Sequence, residues 1–349
     1  MTLKLRWVDG FELSNSLQTL VQRRYNTAST INIGAGRQGW GRSLRFAQYP
    51  GTLVLKLTTA FATTANSVVI GFGFKFNDPA TVELIAVKRS GATQASIWLV
   101  RDSSITAHFE LRRGSSTVLA SSGVGSIASN QWLYLEWRVF VSNTGSTEFR
   151  IDQIPLFEGE NVDTQETGTA GIDDIWLSCI TNSLTSEMFI DDLYVIEGTS
   201  DTEFLGAIST QAFQPISDAN AVFQGPSGAQ PTYPYVSEST PDDLTFITPI
   251  VTPSVISQLY NTPGLDINFV RGEFIGYMLG VHHDSDSGAN ETVQALFYDP
   301  DFGFSVLGNA VTYNGIQFIE TIGCMPGTGI TDIERDDIGS IQIGLKSST

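Results

Sequence analysis

Short runs in which apolar and polar residues alternate, each closed by turn residues, fill the first two hundred positions of the chain. The clearest is 132–141, WLYLEWRVFV. Leu133, Leu135, Trp137 and Val139 point one way, and Tyr134, Glu136, Arg138 and Phe140 the other. Similar runs lie at 53–57, 68–76, 82–88, 96–101, 107–112, 147–151, 172–177 and 189–195. In the last of these Phe189, Leu193 and Val195 alternate with Asp192 and Tyr194, which predicts one apolar face for the three. Asn77-Asp78-Pro79, Ser90-Gly91, residues 113–116 and residues 143–145 supply the turns. One segment, 14–25 (SNSLQTLVQRRY), has the i, i+3, i+4 spacing of a helix at Leu17, Leu20 and Val21. No amphipathic helices alternate with the strands, so the pattern predicts an all-β sandwich and not a parallel α/β fold.

The pattern changes after Gly198, Thr199 and Ser200. Pro215, Pro226, Pro231, Pro234, Pro241, Pro249, Pro253 and Pro263 make residues 201–270 loop-like, because proline cannot donate to a sheet ladder. Residues 251–259 are compatible with a short helix or a strand. Residues 274–281, 291–297, 311–322 and 338–345 read as strands of a second sandwich. The predicted domains are 1–200 and 201–349.

Length and composition fit this division. The 349 residues suffice for two domains with hydrophobic cores. Charged residues make up 16%, against roughly 25% in ordinary globular proteins, and Gly, Ser and Thr take their place. The net charge of −18 is unevenly spread. Residues 1–200 hold 16 of the 19 Lys and Arg against 19 acids, a net −3; the remainder holds three against 18, a net −15. Residues 1–45 reverse the sign: Lys4, Arg6, Arg23, Arg24, Arg37, Arg42 and Arg45 face only Asp9 and Glu12. An acidic C-terminal half disfavours nucleic acid and anionic membrane as partners. Cys179 and Cys324, one in each half, form neither a disulfide framework nor a metal knuckle and read as buried thiols. The N-terminus lacks a signal-peptide apolar core, and no apolar run is long enough to span a bilayer, so assembly in a cytoplasm is expected.

Candidate chemistry is thin. Gly34-Ala35-Gly36-Arg37-Gln38-Gly39 matches a dinucleotide fingerprint, but Trp40-Gly41-Arg42 follows where a helix should begin, so a glycine turn between strands is expected. His282, His283, Asp284, Asp286 and Glu291 contain metal-ligand types, but adjacent histidines on a strand point apart and calcium-loop spacing is incomplete, so a solvated loop is expected. The acid pairs Asp173-Asp174, Asp191-Asp192, Asp242-Asp243 and Asp336-Asp337 should each send at most one carboxylate into any cleft. Glycoside hydrolysis needs two carboxylates flanking one bond, and the concanavalin-type Glu-x-Asp-x-(x)-Glu strand is missing. His108 lies in an alternating strand and no Gly-x-Ser-x-Gly elbow surrounds a serine. Hence no catalytic, cofactor or metal residue is assigned and no enzyme activity is expected.

The order of motifs carries more. Residues 8–12 read Val-Asp-Gly-Phe-Glu, Arg23-Arg24-Tyr25 follows, and residues 36–45 form a glycine-and-arginine block. Residues 191–195 read Asp-Asp-Leu-Tyr-Val, and Phe204-Leu205-Gly206 comes next. Over residues 7–206 the chain resembles a family of tailed-phage virion proteins with an N-terminal concanavalin A-like (laminin G-like) jelly roll. There an Asp-Asp-hydrophobic-Tyr-Val strand ends the jelly roll and a Phe-Leu-Gly stretch opens a β-rich C-terminal part. The resemblance implies a structural protein of the virion, tail-associated as fibre, baseplate or tail-tip accessory. It implies other virion proteins and copies of itself as partners. The alternatives are a capsid decoration protein and a lectin-like module for a host-surface glycan.

Overall fold

The structure, a computed structural model, describes residues 4–11, 26–27, 31–37, 42–47, 51–56, 65–179, 187–198 and 203–208, and ten strands beyond them. The chain divides into two compact units, Leu3–Gln211 and Ala212–Thr349. The predicted helix at 14–25 and the His282–Gly288 loop lie outside the described residues, as do Asp242-Asp243 and Asp336-Asp337.

Among the described residues the first unit has sixteen strands. They are β1 (Lys4–Asp9), β2 (Asn26–Thr27), β3 (Ile31–Ala35), β4 (Arg42–Ala47), β5 (Gly51–Lys56), β6 (Ser67–Phe76), β7 (Val82–Arg89) and β8 (Ala92–Arg101). Then come β9 (Thr106–Arg113), β10 (Thr117–Ser121), β11 (Ile127–Ala128), β12 (Leu133–Phe140), β13 (Gly145–Ile151), β14 (Ile154–Val162), β15 (Asp174–Cys179) and β16 (Glu187–Glu197). Sheet I has the order β14-β13-β12-β6-β16-β4-β3, with β1 also on β16. Sheet II has the order β10-β9-β8-β7-β15-β5-β2, with β11 also on β9. All the pairings are antiparallel, as in a concanavalin A-like jelly roll. Of the glycine block 34–39, Gly34 and Ala35 end β3, which pairs with β4, and residues 38–41 lie outside the described residues.

Alternation places the core. Leu133, Leu135, Trp137 and Val139 of β12 face inward beside Phe74, Phe72, Ile70 and Val68 of β6, and all eight are buried. Ile97, Leu99, Phe109 and Leu111 answer from sheet II. Phe109 and Phe149 meet edge to face across the sandwich, centroids 5.1 Å apart. The indole of Trp137 is wholly buried and its N–H donates to Thr147 Oγ1 at 2.9 Å, so a large side chain enters the core without an unpaired donor.

β16 departs from the expected alternation. Asp191 pairs with Gly73 and Tyr194 with Gly71, so Asp192 and Leu193 together oppose one residue of β6, and Asp192 sits at φ 48°. This β-bulge exchanges the two faces of the strand. Leu193 and Val195 face the core, whereas Phe189, before the bulge, lies on the outer face against Trp132 (6.2 Å). The single apolar face expected for Phe189, Leu193 and Val195 is therefore corrected: strict alternation fails where an extra residue is inserted.

The second unit is also β-rich. Strands 217–218, 255–261, 342–348, 290–299, 304–307 and 311–314 form a six-stranded sheet; 223–224 with 248–249, and 277–281 with 320–324, form two-stranded ribbons. Within the open segment 251–259, residues 255–259 are strand, part of 255–261, and residues 251–254 lie outside the described residues. The single run expected at 311–322 is two strands, 311–314 and 320–324, in different sheets.

Candidate functional site

The outer face of sheet I gathers the functional side-chain types of the first unit. On β12 the residues opposite the core set are Tyr134, Glu136 and Arg138; their cross-strand neighbours are Arg150 and Glu148 on β13 and Gly73, Gly71 and Val69 on β6. The bulge adds Tyr194 from β16, directly opposite Gly71. Glycine is required at both β6 positions by close approach. A Cβ on Gly71 would lie 2.1 Å from the Tyr194 ring, and one on Gly73 would lie 2.7 Å from the Arg37 side chain. The Phe-Gly-Phe-Gly alternation of β6 thus gives a bulky inner face and a flat outer floor on which a phenol and a guanidinium lie.

Residues 203–208 form a strap over this floor. Gly206 N–H donates to Glu136 Oε1 at 2.8 Å and Leu205 N–H to Tyr194 Oη at 3.2 Å. Tyr194 Oη in turn donates to the same Glu136 oxygen at 2.6 Å. The Phe204 ring lies under the guanidinium groups of Arg150 (4.0 Å) and Arg138 (5.4 Å), which both bond Glu148. Arg37 Nη2 holds the far end by donating to Ile208 O at 2.6 Å. Beneath the strap Tyr134 and Glu136 are buried although they point away from the core.

Arg37 also joins the acid pair of β16. Its backbone N–H donates to Asp191 Oδ2 (2.7 Å), and its Nε and Nη2 donate to Asp192 Oδ2 (3.0 and 2.8 Å). Its guanidinium stands 5.1 Å from the Tyr134 ring centroid, and Tyr134 Oη donates to Asp192 O at 2.9 Å. Both neighbouring acids thus bond one residue, Asp191 its main chain and Asp192 its guanidinium. The bulge turns both Asp191 and Asp192 onto one residue, and both are consumed in holding Arg37.

Burial sets the electrostatics. It raises the Glu136 carboxyl above the usual carboxylate range; the Tyr194 hydroxyl, the Gly206 amide and the Arg150 charge offset this in part, and the Glu148 charge adds to it. Burial, and then the Glu136 charge and hydrogen bond, push the Tyr194 phenol far above its ordinary value. Tyr134 moves the same way, again chiefly by burial. Both phenols are therefore fixed as neutral donors. Glu136 Oε2 is buried without a hydrogen-bond partner. Burial lowers Lys75, whose ammonium lies 4.3 and 4.8 Å from the Phe189 and Trp132 ring centroids.

The outer face of sheet II is built differently. Trp98 and Trp176 lie half-buried there, with Arg112 at 4.1 Å from the first ring and Lys88 at 3.5 Å from the second. Arg112 bonds Glu110 Oε2 (2.9 and 2.5 Å), and Lys88 pairs with Glu83 at 3.7 Å. His108 Nδ1 is 2.8 Å from Asp102 Oδ1, as expected for a satisfied strand histidine. Among the described residues no His, Cys, Asp and Glu group is placed to hold a metal ion, and no helix is long and apolar enough to cross a membrane.

The sequence alone did not single out Glu136 or Tyr194. Their signals were the glycine alternation of β6 and the polar residues facing it on β12.

No family model and no curated protein matches the chain. Solved structures do resemble it. The carbohydrate esterase of the Shiga toxin-encoding bacteriophage phi24B is 14% identical over 55% of this chain and 100% of its own, with a TM-score of 0.39. The Emp46p carbohydrate recognition domain is 12% identical over 57% and 100%, TM-score 0.41. The endo-β-1,4-glucuronan lyase of Trichoderma reesei is 10% identical over 51% and 92%, TM-score 0.37. These are likenesses of the sandwich and carry nothing about activity.

Proposed function

We propose that the chain is a structural protein of a tailed-phage virion, tail-associated, assembled in the host cytoplasm and working by contacts with other virion proteins and its own copies. One observation supports this most. The Asp-Asp-Leu-Tyr-Val strand and the Phe-Leu-Gly stretch, on which the family resemblance rests, bond to each other and to one carboxyl, Glu136. That arrangement spends the face's acid, phenols and arginines on holding the chain to itself, as an architectural part does; a catalytic acid needs an approach for substrate. The basic stretch 1–45, net +5 against −15 for 201–349, suits an inner attachment with the acidic half outward, since opposite potentials set register and like charges keep copies apart. Micrographs of particles carrying a C-terminal label should show it on the tail at an outer position. Label on the capsid shell would move the reading to a decoration protein, and particles free of the chain would overturn it.

The outer face of sheet II favours a second, compatible reading, a host-surface glycan site. By strand spacing its two tryptophans stand roughly 12 Å apart, the span of a short oligosaccharide. Binding to host cells should fall at least tenfold in Trp98→Ala; unchanged binding counts against the site.

A further inference from the structure

We propose that Glu136 is a proton-operated latch: the strap 203–208 is held on sheet I while the Glu136 carboxyl is protonated and loosens when it ionises. The geometry makes the coupling. One carboxyl oxygen takes both the Tyr194 hydroxyl and the Gly206 amide, so strap and sheet share a single acceptor. The other oxygen is buried with no partner, which is tolerable on a neutral acid and costly on an anion. The residue points away from the core, and it is buried with the strap's Gly206 amide on its carboxyl.

The groups facing it do not cancel this. On β13 Arg150 and Glu148 oppose each other in sign, and Glu148 also bonds Arg138 of β12. Tyr134 on β12 and Tyr194 on β16 stay neutral, β6 offers only Gly71, and the one ionisable strap residue, Glu203, is exposed. The carboxyl is raised by burial, in agreement with the geometry. The docked strap therefore binds the proton more tightly than the undocked one. Docking is strongest below the ordinary glutamate value, about pH 4.3, and weakens as pH climbs through the raised docked-state value. The strap immediately precedes the second unit, so the latch controls how firmly the chain leading into it is fixed to the jelly roll.

Hydrogen exchange of the Leu205 and Gly206 amides in the full chain tests this, read as protection relative to the intrinsic rate at each pH. Protection should fall at least tenfold between pH 5 and pH 8, with a slope no steeper than tenfold per pH unit. Glu136→Gln should remove the dependence. Tyr194→Phe, which deletes a donor to the carboxylate and the acceptor of the Leu205 amide but keeps the ring, should move the midpoint read at the Gly206 amide to higher pH. Protection that is flat with pH in the unaltered protein, a slope that survives in Glu136→Gln, or an unmoved midpoint in Tyr194→Phe would overturn the latch.

Discussion

On the outer face of sheet I, charged and aromatic residues lie beneath the chain's own strap; on the outer face of sheet II, similar residues pair with one another at the surface. Glu136 and Glu110 show what the difference does. Both project outward from a sheet strand. Glu110 meets Arg112 in a half-buried ion pair, where water and screening keep such pairs weak. Glu136 has no direct cation, is fully buried, and bonds a phenol and a main-chain amide, so its charge state feeds into the fold. Identical chemistry becomes surface decoration or structural control according to what covers it.

Substitutions can break this contrast. The core sets the scale: Trp137→Ala should cost about 3–5 kcal/mol in denaturant unfolding, the usual range for a large aromatic lost from a core. A cost under about 1 kcal/mol would place the wrong face inside. Gly71→Ala should cost about 1–3 kcal/mol by driving a methyl into the Tyr194 ring under the strap. Glu136→Gln sharpens the contrast through pH. Glu136 is raised in the folded state, so its contribution is complete below the unfolded value and is lost as pH rises through the folded one. The unaltered protein should thus lose melting temperature relative to Glu136→Gln between pH 5 and pH 8, and a parallel pH course would show that the carboxyl is not coupled to folding. On the open face Arg112→Ala should cost about 1 kcal/mol or less, because it removes one half-buried ion pair, one exposed bond to Ser115 O and one cation–ring contact. A cost as large as that of Gly71→Ala would erase the distinction between the faces.

Much of the first unit was legible in the sequence, because a half-buried strand must alternate. Runs 68–76, 82–88 and 107–112 lie on β6, β7 and β9, run 132–141 contains β12, and Trp137 is inside as its parity requires. Parity is also where the reading failed. The bulge at Asp192 has no composition of its own, and one extra residue moved Phe189 across the sheet and brought both aspartates onto Arg37. The candidate site was hidden for a different reason. Glu136 and Tyr194 have the outward parity of solvent-facing residues, yet both are buried and bond a distant segment, 203–208. Arg37 sat in a glycine block whose spacing pointed to a turn; its partners lie more than 150 residues away.

A sealed face that is architectural and not catalytic should leave polysaccharide uncut. Incubation of the purified chain with bacterial surface polysaccharides, followed by chromatography of released oligosaccharides, tests this directly. No release is expected at any pH from 5 to 8. Release that the unaltered protein catalyses and Glu136→Gln abolishes would contradict an architectural role, and would make the strap the cover of an active site.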